Sequence, residues 1–488
     1  PEPPETPEPP ETPEPPETPE PPETPEPPEI PTEDPSTFIP DIDDPRIDQI
    51  PDTPNIPTTF TPPTVTPIDP IFRATEEQYN REFTEYLGIE PIQTRTLEEG
   101  ITIAQEIEEA TGVRPAFVYI GFVPPETTVR DASPVPQDSD ELELVVVTAE
   151  GGLVRRRLAG VTRAEVMEVA REFRSEVTNP RNVRTTSYLP SSQQLYQWFV
   201  APVVADLQLL EIDNLVFLPE AGLRSLPYAA LHSGEVFLIE QFSVGLMPSL
   251  SLTDTRYVDV RNAEILAMGI AESTQGQTPL PSVPLEVDTL ATKLWRGRVF
   301  LNEASTIENL REAREIQPFG IIHLATHADF VSGGIDQSYI QLWNERIQLD
   351  QIRELGFNDP PVELLVLSAC RTALGNEQAE LGFAGLAVQS GVKSAVASLW
   401  YVSDAATAAL MTQFYEQLLN APIKAEALRQ AQLAMARGEV FVDENGQLQG
   451  LGQIEPLSLP PASAQEVLGQ TLSHPYYWAA FTMIGNPW

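Results

Sequence analysis

The stretches FGIIHLATHADF (residues 319–330) and VELLVLSACRTALG (residues 362–375) decide the fold. Each is a nearly unbroken apolar run with no polar–apolar alternation, as expected of strands covered on both faces of a mainly parallel sheet. The first run stops at His327 and the second at Cys370. In an open α/β sheet the carboxyl ends of the strands are where ligands bind and chemistry occurs. Neighbouring parallel strands about 4.8 Å apart would bring an imidazole and a thiol within reach, the minimum for a cysteine nucleophile with a histidine base. Residue type alone is less eloquent. A His323/His327 pair reads as one core imidazole and one at the surface, and a lone cysteine reads as a small buried hydrophobe.

Outward from these strands the chain alternates strands and helices, the pattern of an α/β layer. Before them, LEEGITIAQEIEEAT has helical spacing, AFVYIGFV and the pair in LELVVVTAEGGLVRRRLAG read as strands joined by a Gly-Gly turn, and RAEVMEVAREFRSEV is an amphipathic helix. SSQQLYQWFVAPVVADLQLL is helical and NLVFLPEAGLRSLPYAALHSG opens with a buried strand. A second unit starts near residue 262 with AEILAMGIAES, and it ends in the helices SDAATAALMTQFYEQLL and AEALRQAQLAMAR and a last strand in YYWAAFTMIG. The arginines 155–157 read as a solvated strand face rather than a phosphate site. Residues 437–478, rich in Gly, Pro and Ser, are expected to be a long mobile connection, part of which could lie over the Cys370 edge as a lid.

The N-terminus is different in kind. The hexamer PEPPET repeats from residue 1 and closes as PEPPEI at residue 30. Residues 1–72 hold 18 acids, one arginine and 26 of the 50 prolines, so they are expected to form an extended, proline-rich disordered stalk or linker without an apolar face. The folded part is expected to divide into 73–260 and 261–488. A net charge of −43 disfavours nucleic acid and anionic membrane surfaces as partners. No apolar run of 18 residues occurs, so no transmembrane segment is expected. The chain opens at Pro1 rather than Met, which suggests an upstream segment, and the acidic spacer suits an exported or periplasmic protein. One cysteine excludes an intrachain disulfide. The four histidines, with one close pair and no cysteine spacing, offer no metal site, and no phosphate or dinucleotide loop is present, so no cofactor is expected.

Taken in order and spacing, HLATHADF, LLVLSACRTALG, VASLWYVSDAATAALMTQFYEQL and HPYYWAAFTMIGNPW, with LVFLPEAGLRSLPYAALHSGEVFLIEQFSVGLMPSLS upstream, resemble the CHAT domain. That family is a bacterial relative of caspases and separases, especially common in cyanobacteria. The resemblance implies a caspase-like α/β fold of two fused lobes, the first inactive and the second a protease. It makes His327 the general base and Cys370 the nucleophile of a cysteine endopeptidase acting on protein substrates, and it puts His323 inside its strand. It also places the oxyanion on the backbone N–H groups of Ala328 and Cys370. Ala328 stands where the family often has Gly, and alanine keeps the donor. In many relatives of the wider clan the residue two before the cysteine is acidic and selects a basic side chain; here it is Ser368. Asp329, Glu380 and Asp404 are the nearby acids that could contact substrate in its place, although Asp404 after Ser403, and Glu380, also read as acids at helix starts. The alternative from another class is a catalytically silent scaffold with the same fold, presented on the acidic stalk to a regulatory protein partner.

Overall fold

In the computed structural model, residues 68–125, 136–151, 153–372 and 374–488 are described, with the backbone alone for Ile68, Asp69, Ala369, Cys370 and Thr372. The PEPPET repeat and its continuation to residue 67 lie outside the described residues. The first strands are β1 (Pro115–Val123), β2 (Glu141–Thr148), β3 (Leu153–Thr162), β4 (Asn214–Pro219) and β5 (Ser243–Leu246). There follow β6 (Ile265–Gly269), β7 (Gly297–Leu301), β8 (Ile321–Phe330), β9 (Tyr339–Gln341), β10 (Arg346–Gln348), β11 (Leu364–Thr372) and β12 (Ser394–Ser398). The last are β13 (Phe441–Val442), β14 (Gln447–Gln449), β15 (Leu457–Ser458) and β16 (Phe481–Gly485).

One sheet runs through the described chain in the order β10-β9-β8-β11-β12-β16-β5-β4-β1-β2-β3, with β6 and β7 branching from β8. Its centre is parallel: β6, β8, β11 and β12 on one side and β1, β4 and β5 on the other. Helices cover it, so β1 and β12 are buried along their whole length and Ile321–Thr326 of β8 likewise. This is the mainly parallel, helix-flanked α/β fold expected from the unbroken apolar runs.

Helix starts follow from their sequences. Thr96 and Thr162 each form a reciprocal cap with a glutamate three residues on, Glu99 and Glu165, and Ser403 accepts the Ala406 N–H at the head of helix Asp404–Leu418. Arg155, Arg156 and Arg157 pair with Glu143, Asp206 and Glu141, so the basic run is a set of surface ion pairs on β3.

Three features depart from expectation. Helix Ile68–Leu87 begins before residue 73, because Ile71 and Phe72 supply it with an apolar anchor, Phe72 lying edge-on to Tyr119 at 5.4 Å. The expected boundary at 260/261 falls within one compact unit, since β5 and β16 join the two halves of the sheet. Residues 437–478 are not a structureless connection: β13, β14 and β15 form a small antiparallel sheet, helix Pro461–Val467 follows, and Val440, Leu448, Val467 and Leu472 are buried. Apolar side chains spaced through the Gly- and Pro-rich stretch pack it into the main hydrophobic core.

Candidate active site

The backbone around His327 is irregular on both sides of its strand. Toward one edge, β8 pairs with β6 as far as Ala325, opposite Gly269. From Ala328 onward it pairs with β9 instead. Thr326 and His327 therefore fall where one neighbour has ended and the next has not begun. On the other side, Leu324 is opposite Leu367, but His327 is opposite Ala369, so β8 carries one extra residue. Such a bulge bends its strand and re-aims the side chains beside it. The register then places Cys370 opposite Ala328 and Arg371 opposite Asp329. The two ends singled out by the sequence thus lie on adjacent parallel strands, one residue out of step.

The His327 ring is held by a backbone carbonyl and an aromatic face. Nε2 lies 2.8 Å from Thr278 O. A carbonyl can only accept, so Nε2 carries the proton and the neutral ring keeps its lone pair on Nδ1. Tyr401 stacks on the ring with centroids 6.0 Å apart and planes 14° apart. Burial pushes the Tyr401 phenol up to about 12, so it stays neutral beside the imidazole. A cavity of about 200 Å³ opens here, lined by Gln277, Thr278, His327, Ala328, Asp329, Arg371 and Tyr401. The loop reaching it turns through Gln275 and Gly276, both at positive φ.

Of the candidate substrate residues, only Asp329 lines the cavity. Its carboxylate accepts from Arg371 Nε at 3.0 Å and from the Tyr339 hydroxyl at 2.8 Å. Ser368 lies on β11 opposite the bulge, buried, with its Oγ unpartnered among the described residues. Glu380 is fully enclosed and away from the cavity, accepting from Gly222 N–H at 2.8 Å and from the Ser225 hydroxyl. Asp404 is also buried, accepting from Ser282 N–H at 2.6 Å and Ser463 Oγ at 2.7 Å, and burial raises its carboxyl above the usual range. It ties the loop before helix Val283–Asp288 and the helix Pro461–Val467 to helix Asp404–Leu418.

His323 is the core member of the pair. It is completely enclosed, with Nε2 2.9 Å from Glu286 Oε1 and Nδ1 3.1 Å from the Tyr415 hydroxyl. The residues that sequence reasoning missed are Thr278, Tyr401, Gln277 and Arg371. Tyr401 and Arg371 carried a signal, since both stand at carboxyl ends of central strands. Thr278 acts through its carbonyl, which no side-chain pattern reveals. Among the described residues no His, Cys, Asp and Glu cluster could hold a metal, and no helix is long and apolar enough to cross a membrane.

The site is thus built on a mainly parallel, helix-flanked α/β sheet that carries His327 and Cys370 on adjacent central strands. The chain belongs to the CHAT-domain family, whose domain it matches over residues 189–486, more than half its length. Among solved structures it is similar to separase in two Saccharomyces cerevisiae separase–securin complexes. The first has a TM-score of 0.43 and 10% identity over 85% of this chain and 33% of that one, and the second 0.40 and 11% over 81% and 32%. The chain spans about a third of the length of those separase chains. It is also similar to the Porphyromonas gingivalis RgpB complex of pro- and mature domains, with a TM-score of 0.35 and 10% identity over 66% of this chain and 76% of that one. No curated protein matches the chain.

Proposed function

We propose that the protein is a cysteine endopeptidase, with Cys370 as nucleophile and His327 as general base and acid, acting on a protein or peptide substrate. The observation that carries this reading is the 2.8 Å contact of His327 Nε2 with Thr278 O, which leaves Nδ1 to take a proton beside the strand that carries Cys370. Nδ1 takes the thiol proton, and the thiolate attacks the peptide carbonyl carbon to form a C–S bond. Negative charge on the oxygen is assigned to the backbone N–H groups of Ala328 and Cys370. Nδ1–H then protonates the leaving amine as the C–N bond breaks. Water, deprotonated by the same nitrogen, cleaves the thioester and returns the thiol. The chemistry needs no cofactor.

Substrate contact is assigned to Asp329, with Arg371 beside it, because both line the cavity. Glu380 and Asp404 are buried and do not line the cavity, so they are left out. Cys370→Ala is expected to abolish cleavage of a peptide library that the wild type cuts, with the melting temperature nearly unchanged, since the exchange removes one sulfur. Cleavage at the wild-type rate by the Cys370→Ala protein would overturn the reading.

A further inference from the structure

The loop that follows β4, Glu220–Ser225, reaches across to the segment that follows Cys370. Gly375 donates its backbone N–H to Ser225 Oγ at 3.2 Å. Ser225 donates its hydroxyl proton to one carboxylate oxygen of Glu380, and Gly222 N–H donates to the other at 2.8 Å. Arg174, from helix Arg163–Val177, donates to Gly222 O at 2.9 Å and lies 3.7 Å from Glu380 Oε1. Ser225 and Glu380 are fully enclosed, and Arg174 is 7% exposed.

The fit leaves little freedom. Gly222 has φ +89, and a Cβ there would stand 2.8 Å from Met167 Sδ; Gly375 has φ +74, and its Cβ would stand 3.1 Å from Arg174 Nη2. A buried carboxylate and guanidinium tolerate only the arrangement in which both are satisfied, so the network has one geometry rather than many. The Ser225 hydroxyl is its pivot, because the same oxygen accepts from the nucleophile segment and donates to Glu380. Gly375 lies five residues beyond Cys370, so the contact anchors the chain downstream of the nucleophile.

We propose that Ser225, with Glu380 and Arg174, is a positioning unit for Cys370. The first half of the sheet, which supplies no catalytic group, holds the nucleophile segment in register with His327. This inference rests on the endopeptidase reading.

The test is Ser225→Ala in the full chain, followed by peptide cleavage and by the pH dependence of Cys370 alkylation with iodoacetamide. A displaced nucleophile costs rate rather than binding, so kcat is expected to fall about tenfold with KM within about twofold of wild type. The alkylation rate at neutral pH should fall in parallel, and its pH midpoint should move up as the thiol loses its alignment with His327. Ser225→Thr, which retains the hydroxyl, should restore both readouts, which a loss of packing would not explain. Wild-type kcat and alkylation profile in Ser225→Ala, or a threonine variant as impaired as the alanine one, would overturn the proposal. If the wild type cleaves no peptide, the endopeptidase reading fails by itself. The alkylation profiles then decide the positioning role alone, a shift in Ser225→Ala supporting it and its absence refuting it.

Discussion

The first half of the sheet sets β1, β4 and β5 parallel with β2 antiparallel outside them; the second sets β8, β11 and β12 parallel with β9 antiparallel outside. Each half also buries a glutamate against its central strand. Glu76 accepts from the Tyr119 hydroxyl at 2.8 Å, and Glu286 lies 2.9 Å from His323 Nε2. The strand ends differ. The loop after β4 turns its polar groups into protein, through Glu220 to Phe122 N–H, Gly222 and Ser225 to Glu380, and Arg224 to Glu82. β8 ends beside a cavity, with His327 aligned by Thr278 and β11 carrying Cys370 next to it. One strand plan therefore serves two purposes, and what stands past the carboxyl ends decides which.

The buried glutamates offer the hardest way to break this comparison. His323→Leu would leave the Glu286 carboxyl group enclosed without its imidazole partner, and an unpartnered buried polar group costs about 1–3 kcal/mol. Chemical denaturation should show that loss, whereas a change under about 1 kcal/mol would mean that Glu286 is held by other groups. A second effect is expected at the seam between the halves. His474 lies edge-on to Tyr188 at 4.9 Å, accepts the Tyr476 N–H on Nδ1 at 3.0 Å, and is brought by burial from the ordinary 6.5 down to about 4. The unfolded chain binds this proton below pH 6.5 and the folded chain only near pH 4. The associated stability is therefore complete above pH 6.5 and is lost as pH falls toward 4, by up to about 3 kcal/mol. His474→Asn, which can still cap Tyr476, should flatten that part of the stability–pH curve; an unchanged slope would move the origin of the acid sensitivity elsewhere.

Much of the fold was legible because the central strands are unbroken apolar runs, the helices show amphipathic spacing, and Ser403 caps the helix that starts at Asp404. The short strands β5, β9, β10, β13, β14 and β15 were not, since two to four residues are too few to show a period. Helix Ile68–Leu87 was obscured by the prolines preceding it. At the site, His327 and Cys370 were visible as the ends of apolar runs, although β8 continues to Phe330 and β11 to Thr372, and His323 was visible as the core member of the pair. Glu380 and Asp404 could be read as acids at helix starts, but their buried partners, Gly222, Ser225, Ser282 and Ser463, lie 59 to 158 residues away in the chain, beyond any local pattern. The extra residue in β8 depends on its pairing with β11 and has no signature in either strand alone.

The central claim is that His327 activates Cys370. Its most direct test is the rate at which an electrophilic peptide probe labels Cys370, the only cysteine, in the wild type and in His327→Asn. General-base assistance contributes about 10²–10⁴-fold, so labelling at neutral pH is expected to fall by at least about 100-fold in the variant. Equal labelling of the two proteins across the pH range would contradict the account.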